Sequence, residues 1–154
     1  MELINGLAER YSEKFTSPTD ALLSELEEYT MKNHAHAHML SGPVQGKLLE
    51  MISRIVRPKR ILEVGTFTGY SALCLAGGLQ NDGQLHTIEL RDEDADLATS
   101  FFERSSFKNR IILHRGNALE VIPLLNIEWD LVFIDADKPG YIQYYELTLP
   151  VLKR

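Results

Sequence analysis

Cysteine is almost absent from this chain of 154 residues: Cys74 is the only one. No disulfide can close within the chain, which suits a reducing compartment. In a predicted helix, Cys74 reads as a small buried hydrophobe rather than a nucleophile. A cationic excess is missing too. Sixteen Lys and Arg stand against 22 Asp and Glu, a net charge of −6, so a broad basic field for nucleic acid is lacking. No apolar run reaches the roughly 18 residues of a membrane-spanning helix. The N-terminus, Met1-Glu2-Leu3-Ile4-Asn5, lacks the basic-then-apolar order of a signal peptide. These absences predict a cytoplasmic protein without nucleic acid or membrane as partner. What is present is ordinary: 44% hydrophobic and 25% charged residues, in a length that fits one domain and one core.

The informative stretch is Arg60-Ile61-Leu62-Glu63-Val64-Gly65-Thr66-Phe67-Thr68-Gly69-Tyr70-Ser71. An apolar run breaks at Gly65, and an apolar helical pattern opens after Gly69. Strand, tight turn and helix start are predicted, at the strand end where open α/β sheets bind ligands. The helix start offers unpaired N–H groups and partial positive charge. Phe67 stands where a dinucleotide fingerprint has its second glycine, which argues against close approach of a pyrophosphate. Glu63 opposes a phosphate and suits a ligand amine. Glu89 ends the next predicted strand, about 20 residues past the glycine loop, where an acid accepts ribose hydroxyls. A nucleoside carrying a cationic group fits this set, and S-adenosyl-L-methionine is such a molecule.

The stretch resembles motif I of the S-adenosylmethionine-dependent O-methyltransferases of the caffeoyl-CoA and catechol type, in bacterial form. Tyr70-Ser71 match as well. A second match, Phe133-Ile134-Asp135-Ala136-Asp137-Lys138, is more specific. The resemblance runs from about Glu28 to Arg154. It implies a cofactor site of Met39, Ser41, Glu63, Gly65, Thr66, Phe67, Gly69, Ser71, Glu89, Ala118 and Asp135. It also implies Asp135 as ligand of a divalent metal (magnesium or calcium) and Lys138 close to the acceptor oxygen. Hard oxygen ligands suit those ions, and a cation that binds the acceptor lowers its pKa. Asp135 and Lys138 are thus the expected catalytic pair, whereas Asp137 reads equally well as part of a solvated turn. The implied reaction is methyl transfer to a hydroxyl of a small catechol-like acceptor, by a homodimer.

In chain order, residues 3–15 read as an amphipathic helix with Leu3, Ile4, Leu7 and Tyr11 on one stripe. Ser17-Pro18-Thr19-Asp20 reads as a helix start capped by Ser17. Asn33-His34-Ala35-His36-Ala37-His38-Met39 places three histidines at alternate positions. A metal site or lid competes there with a solvated connection, since spacing alone does not make a closed site. Ser41-Gly42-Pro43 opens a helix that stops before Pro58. Strands are expected at 60–64, 85–89, 111–114 and 131–134, with helices at 70–79, from about 92, at 119–125 and at 141–149. Asp92, Glu93, Asp94 and Asp96 read as a solvated helix start. Asn117 has no fixed role, and Trp129 packs at a strand start.

The predicted fold class is therefore α/β: a Rossmann-like, doubly wound parallel sheet (residues 58–154) behind a helical preface (residues 1–57), all one domain. Against the resembled family, the chain breaks off after strand four. A fifth strand with an Asp-Asn pair would supply further metal ligands. Two readings follow: a metal-assisted O-methyltransferase, or a catalytically incomplete cofactor-binding fragment that associates through an open, apolar sheet edge.

Overall fold

The computed structural model describes residues 5–153; Leu3 and Ile4, expected on the first helical stripe, lie outside them. Helix α1, Gly6–Phe15, is capped by the Asn5 side chain, which accepts from the Leu7 N–H. Its stripe faces outward, with Leu7 and Tyr11 exposed. Helix α2, Ala21–Asn33, starts three residues later than the Ser17 reading. Asp20 is the cap, accepting from the Leu23 N–H at 2.8 Å. A carboxylate there meets both the free N–H groups and the helix dipole. A 3₁₀ turn at Ala37–Met39 follows, and then α3, Gly42–Val56. Arg57, in the left-handed region at φ 51°, ends α3 before Pro58.

Four strands follow: β1 (Arg60–Val64), β2 (Gln84–Glu89), β3 (Ile111–Arg115) and β4 (Leu131–Ile134). They form one parallel sheet in the order β3-β2-β1-β4. Helices α4 (Tyr70–Ala76), α5 (Asp92–Arg104), α6 (Ala118–Leu125) and α7 (Tyr141–Thr148) connect and cover them. Helix α4 stops short of the expected Leu79. The chain turns at Gly77-Gly78, where Gly78 packs so closely on α3 that a Cβ would lie 2.2 Å from the Ser53 carbonyl carbon. Strand side chains alternate between two cores. Ile61 and Leu85 join α2 to α5 on one face; Leu62, Val64, Ile88 and Trp129 join α6 and α7 on the other. Both sheet faces are thus covered, as an α/β sheet of parallel strands requires.

The strand order reverses between β1 and β4, which makes their carboxyl ends a topological switch point. β4 is the outer strand on that side among the described residues. Beyond α7 a single parallel bridge, Trp129 to Leu152, runs alongside its start. No helix among the described residues is long and apolar enough to cross a membrane.

Candidate cofactor site

Two glycines shape the β1–α4 turn. Gly65 has φ +99°, and a Cβ there would sit 2.3 Å from the Asp135 carbonyl oxygen. It is what allows the end of β4 to lie against the turn. Gly69, at φ +94°, has no room either: its Cβ would meet the Phe102 ring at 2.7 Å. Between them Phe67 takes φ +49°, a left-handed conformation that costs a non-glycine residue about 1–2 kcal/mol. Its ring lies edge-on to His34, centroids 4.6 Å apart, and under the Arg91 guanidinium at 5.7 Å. The Phe67 N–H donates to Glu89 Oε2 at 2.7 Å.

Glu89 is buried at the end of β2. Its Oε1 accepts from the Leu90 and Arg91 N–H groups, each at 3.0 Å. An ionised carboxylate has about four acceptor positions. Three are taken, and the open one belongs to Oε2.

Glu63 is placed differently. It is fully buried beneath the turn. Ser71 Oγ donates to its Oε1 at 2.6 Å and Thr87 Oγ1 to its Oε2 at 2.5 Å. Thr66 Oγ1 lies 2.5 Å from Thr87 Oγ1; since the Thr87 proton goes to Glu63, Thr66 is the donor. Burial pushes the Glu63 carboxyl up to about 7 against the pull of the Ser71 and Thr87 hydrogen bonds, and the Asp135 and Glu89 charges add to the rise.

A cleft of about 910 Å³ opens over these elements, a volume that suits a cofactor. Among its walls are Met39, Ser41, Gly65, Thr66, Phe67, Ser71, Glu89, Ala118 and Asp135. Glu63, Gly69 and Lys138 are not: Glu63 is linked to the cleft through Ser71 and, by way of Thr87, Thr66, Gly69 packs inward, and Lys138 is an exposed residue in a 3₁₀ turn, Lys138–Gly140. Desolvation raises the Asp135 carboxyl, while Tyr141 and the Lys138 charge lower it. Among the described residues no three His, Cys, Asp or Glu side chains gather as a metal-ligating group.

Asp137 is exposed in its turn, as expected; it accepts from the Gly140 N–H at 3.0 Å and from the Tyr144 hydroxyl at 2.5 Å, tying the 3₁₀ turn to α7. Three sequence expectations are corrected. Asp94 is not solvated but 2% exposed, paired with Arg91 at 2.5 Å and bonded to His34 Nε2 at 2.8 Å. The histidine segment is anchored by that bond rather than being a loose connection. Asn117, given no role, caps α6 by accepting from the Leu119 N–H at 3.0 Å. The reading from sequence missed Thr87. It sits in register with Glu63 and on the same β2 face as Glu89, so the period-2 rule was the available signal.

The O-methyltransferase family model matches residues 13–154. This chain belongs to the O-methyltransferase family. Among similar proteins, the O-methyltransferase chain is 35% identical over 112 residues to catechol O-methyltransferase from Niastella koreensis, covering 70% of this chain and 51% of that protein. It is 32% identical over 137 residues to caffeoyl-CoA O-methyltransferase 1 from Zea mays, covering 85% and 53%. It spans about half the length of these curated relatives. Of solved structures, the Streptomyces achromogenes O-methyltransferase involved in tomaymycin synthesis, in complex with SAM, superposes with a TM-score of 0.86 at 31% identity. That match covers 97% of this chain and 68% of that one. The Podospora anserina methyltransferase bound to SAH superposes with a TM-score of 0.89 at 30% identity, covering 98% and 66%. The Rossmann-like sheet with its N-terminal helices is the fold these structures share.

Proposed function

We propose that the whole protein transfers a methyl group from S-adenosyl-L-methionine to a hydroxyl of a small catechol-like acceptor. Glu89 carries this reading. It is a buried acid fixed by three backbone N–H groups, in a cleft wall at the switch point of the sheet, and it keeps an acceptor position for ribose hydroxyls. The SAM and SAH complexes of the superposed structures support the same cofactor. The catechol and caffeoyl-CoA names of the relatives support the acceptor class.

The remaining residues suit this cofactor. Ser71, backed by Glu63, faces its methionine end; Met39 and Ser41 wall the cleft; Ala118 lies in the adenine neighbourhood. During transfer the S–CH₃ bond breaks, an O–CH₃ bond forms and the acceptor hydroxyl gives up its proton. Lys138 lies close enough to Asp135 for its charge to lower that carboxyl's pKa; in its neutral amine form it is the proposed acceptor of that hydroxyl proton. Asp135 supplies one hard oxygen donor for magnesium or calcium. Magnesium is often held by one or two carboxylates, with waters in its other positions. A bound ion would lower the pKa of the acceptor hydroxyl. Residues 1–154 are read as one cofactor-binding domain, 1–57 as its helical preface. A cytoplasmic homodimer completes the proposal, supported by the single buried Cys74, whose thiol burial pushes up to about 12, and by the exposed Leu48, Met51 and Ile55 of α3.

The test is catechol methylation by the full-length protein, with and without magnesium. Asp135→Ala should abolish turnover while largely keeping cofactor affinity. Turnover unaffected by both magnesium and Asp135→Ala would overturn the metal assignment. A second reading, association of this chain through the outer strand β4, rests on the absence of any strand pairing beyond Trp129–Leu152 on that side among the described residues. Sedimentation at increasing concentration decides it: a purely monomeric profile refutes it.

A further inference from the structure

His34 does not reach the cleft, yet it is tied to it on every side. Its Nδ1 accepts from the His36 N–H at 3.0 Å. The ring proton therefore sits on Nε2, an assignment made from the hydrogen-bond network, and it is donated to Asp94 Oδ1 at 2.8 Å. Asp94 is buried, and its other oxygen pairs with Arg91. Arg91 and His34 flank Phe67 from two directions, one cation over the ring and one imidazole at its edge. Aromatic and cation–π contacts of this kind are individually modest. Here they act on a residue whose backbone is held in an unfavourable left-handed conformation, and whose N–H is one of the three that fix Glu89.

We propose that His34 is a positioning residue of the cofactor site: with Asp94 and Arg91 it clasps Phe67, holds the Phe67 amide against Glu89 and presets that carboxylate for the ribose. The inference rests on the assignment of S-adenosylmethionine to this cleft. It gives the clasp a second consequence. His34 is the C-cap of α2, and it is followed within a few residues by the 3₁₀ turn that ends in Met39 and by Ser41, both of which wall the cleft. Docking His34 on the β1–α4 turn fixes where that wall stands. Groups that orient a binding residue without touching the ligand act by pre-organisation, so their loss appears as weaker binding and looser local structure rather than as a missing contact.

The experiment compares wild type, His34→Ala, His34→Gln and Glu89→Ala with the double variant His34→Ala/Glu89→Ala. Calorimetry with S-adenosylhomocysteine gives affinity, and amide hydrogen exchange at Phe67 without ligand reports the clasp directly. His34→Ala should weaken binding about tenfold, the scale of one net hydrogen bond, and should speed Phe67 exchange. His34→Gln keeps a donor toward Asp94 but has no ring, so it should recover part of both effects. It also carries the comparison should His34→Ala fail to fold. In the Glu89→Ala background His34→Ala should add about twofold or less, because the two act through one carboxylate. Wild-type affinity and unchanged Phe67 exchange in His34→Ala would overturn the clasp. Wild-type protein that binds no S-adenosylhomocysteine would instead overturn the cofactor assignment, and Phe67 exchange would still decide whether His34 holds the amide.

Discussion

Two glutamates at the ends of neighbouring strands illustrate how environment divides one residue type into two tasks. Glu89 keeps an open acceptor in the cleft. Glu63, with both oxygens occupied, is buried where ionisation is unfavourable, and its carboxyl is raised to about 7. The folded state therefore holds this proton more tightly than the unfolded chain, whose glutamates titrate near the ordinary value of about 4.3. Between those pH values the folded form binds more protons. Glu63 thus stabilises the fold less as pH rises, by roughly 3 kcal/mol across the window. His86 has the opposite sign. Burial, first, and His114 beside it lower its pKa to about 4. Its contribution is full above the ordinary histidine value of about 6.5 and is lost as pH falls to about 4, again by roughly 3 kcal/mol. The two effects offset one another between pH 4.5 and 6.5 in the wild type. Glu63→Gln should remove one and expose the other. Denaturant unfolding of this variant should show stability falling more steeply than wild type from about pH 6.5 to 4; parallel curves would refute the Glu63 linkage. Gly65→Ala tests a different residue-scale claim. Its methyl would overlap the Asp135 carbonyl, so it should lower stability by about 1–3 kcal/mol in a thermal melt and weaken cofactor binding. Wild-type behaviour in both measurements would contradict the close approach.

At the scale of elements, legibility depended on whether the signal was local. The strand–turn–helix at residues 60–71 could be read because an apolar run, two glycines and an apolar helical pattern lie side by side. β4 was legible from four consecutive apolar residues ending in Asp135. The start of α2 was not. Ser17 and Asp20 are both good caps, and the choice depends on which side chain meets a free N–H in three dimensions. Asp20→Ala should cost about 1 kcal/mol in thermal unfolding, whereas Ser17→Ala should change little; the reverse ranking would restore the sequence reading. Asp94 was misread for a related reason. Its partner His34 lies 60 residues away, and acids clustered at a helix start are usually solvated. Glu63 was expected to face the ligand, but it lies buried beneath Ser71 and Thr87, a placement that depends on strand register, which the sequence pattern does not show.

For the whole molecule, the account separates binding from turnover. The cleft walls come from β1, β2, the loops after them, the turn before α6, the segment before α3 and the segment after β4, all within the described residues. The metal-ligating set does not gather there. This 154-residue chain should therefore bind cofactor but turn over slowly beside a version extended to the length of its relatives. A misplaced reacting group of about 1 Å can cost on the order of 10²-fold in rate. Comparable catechol methylation by both would contradict that division. The most direct test of the central claim is calorimetric titration of S-adenosyl-L-methionine into this chain and into its Glu89→Ala variant. The account predicts saturable one-to-one binding, weakened by roughly 1–3 kcal/mol in the variant through lost charge-assisted hydrogen bonds. No binding to the chain, or equal affinity in the two proteins, would contradict it.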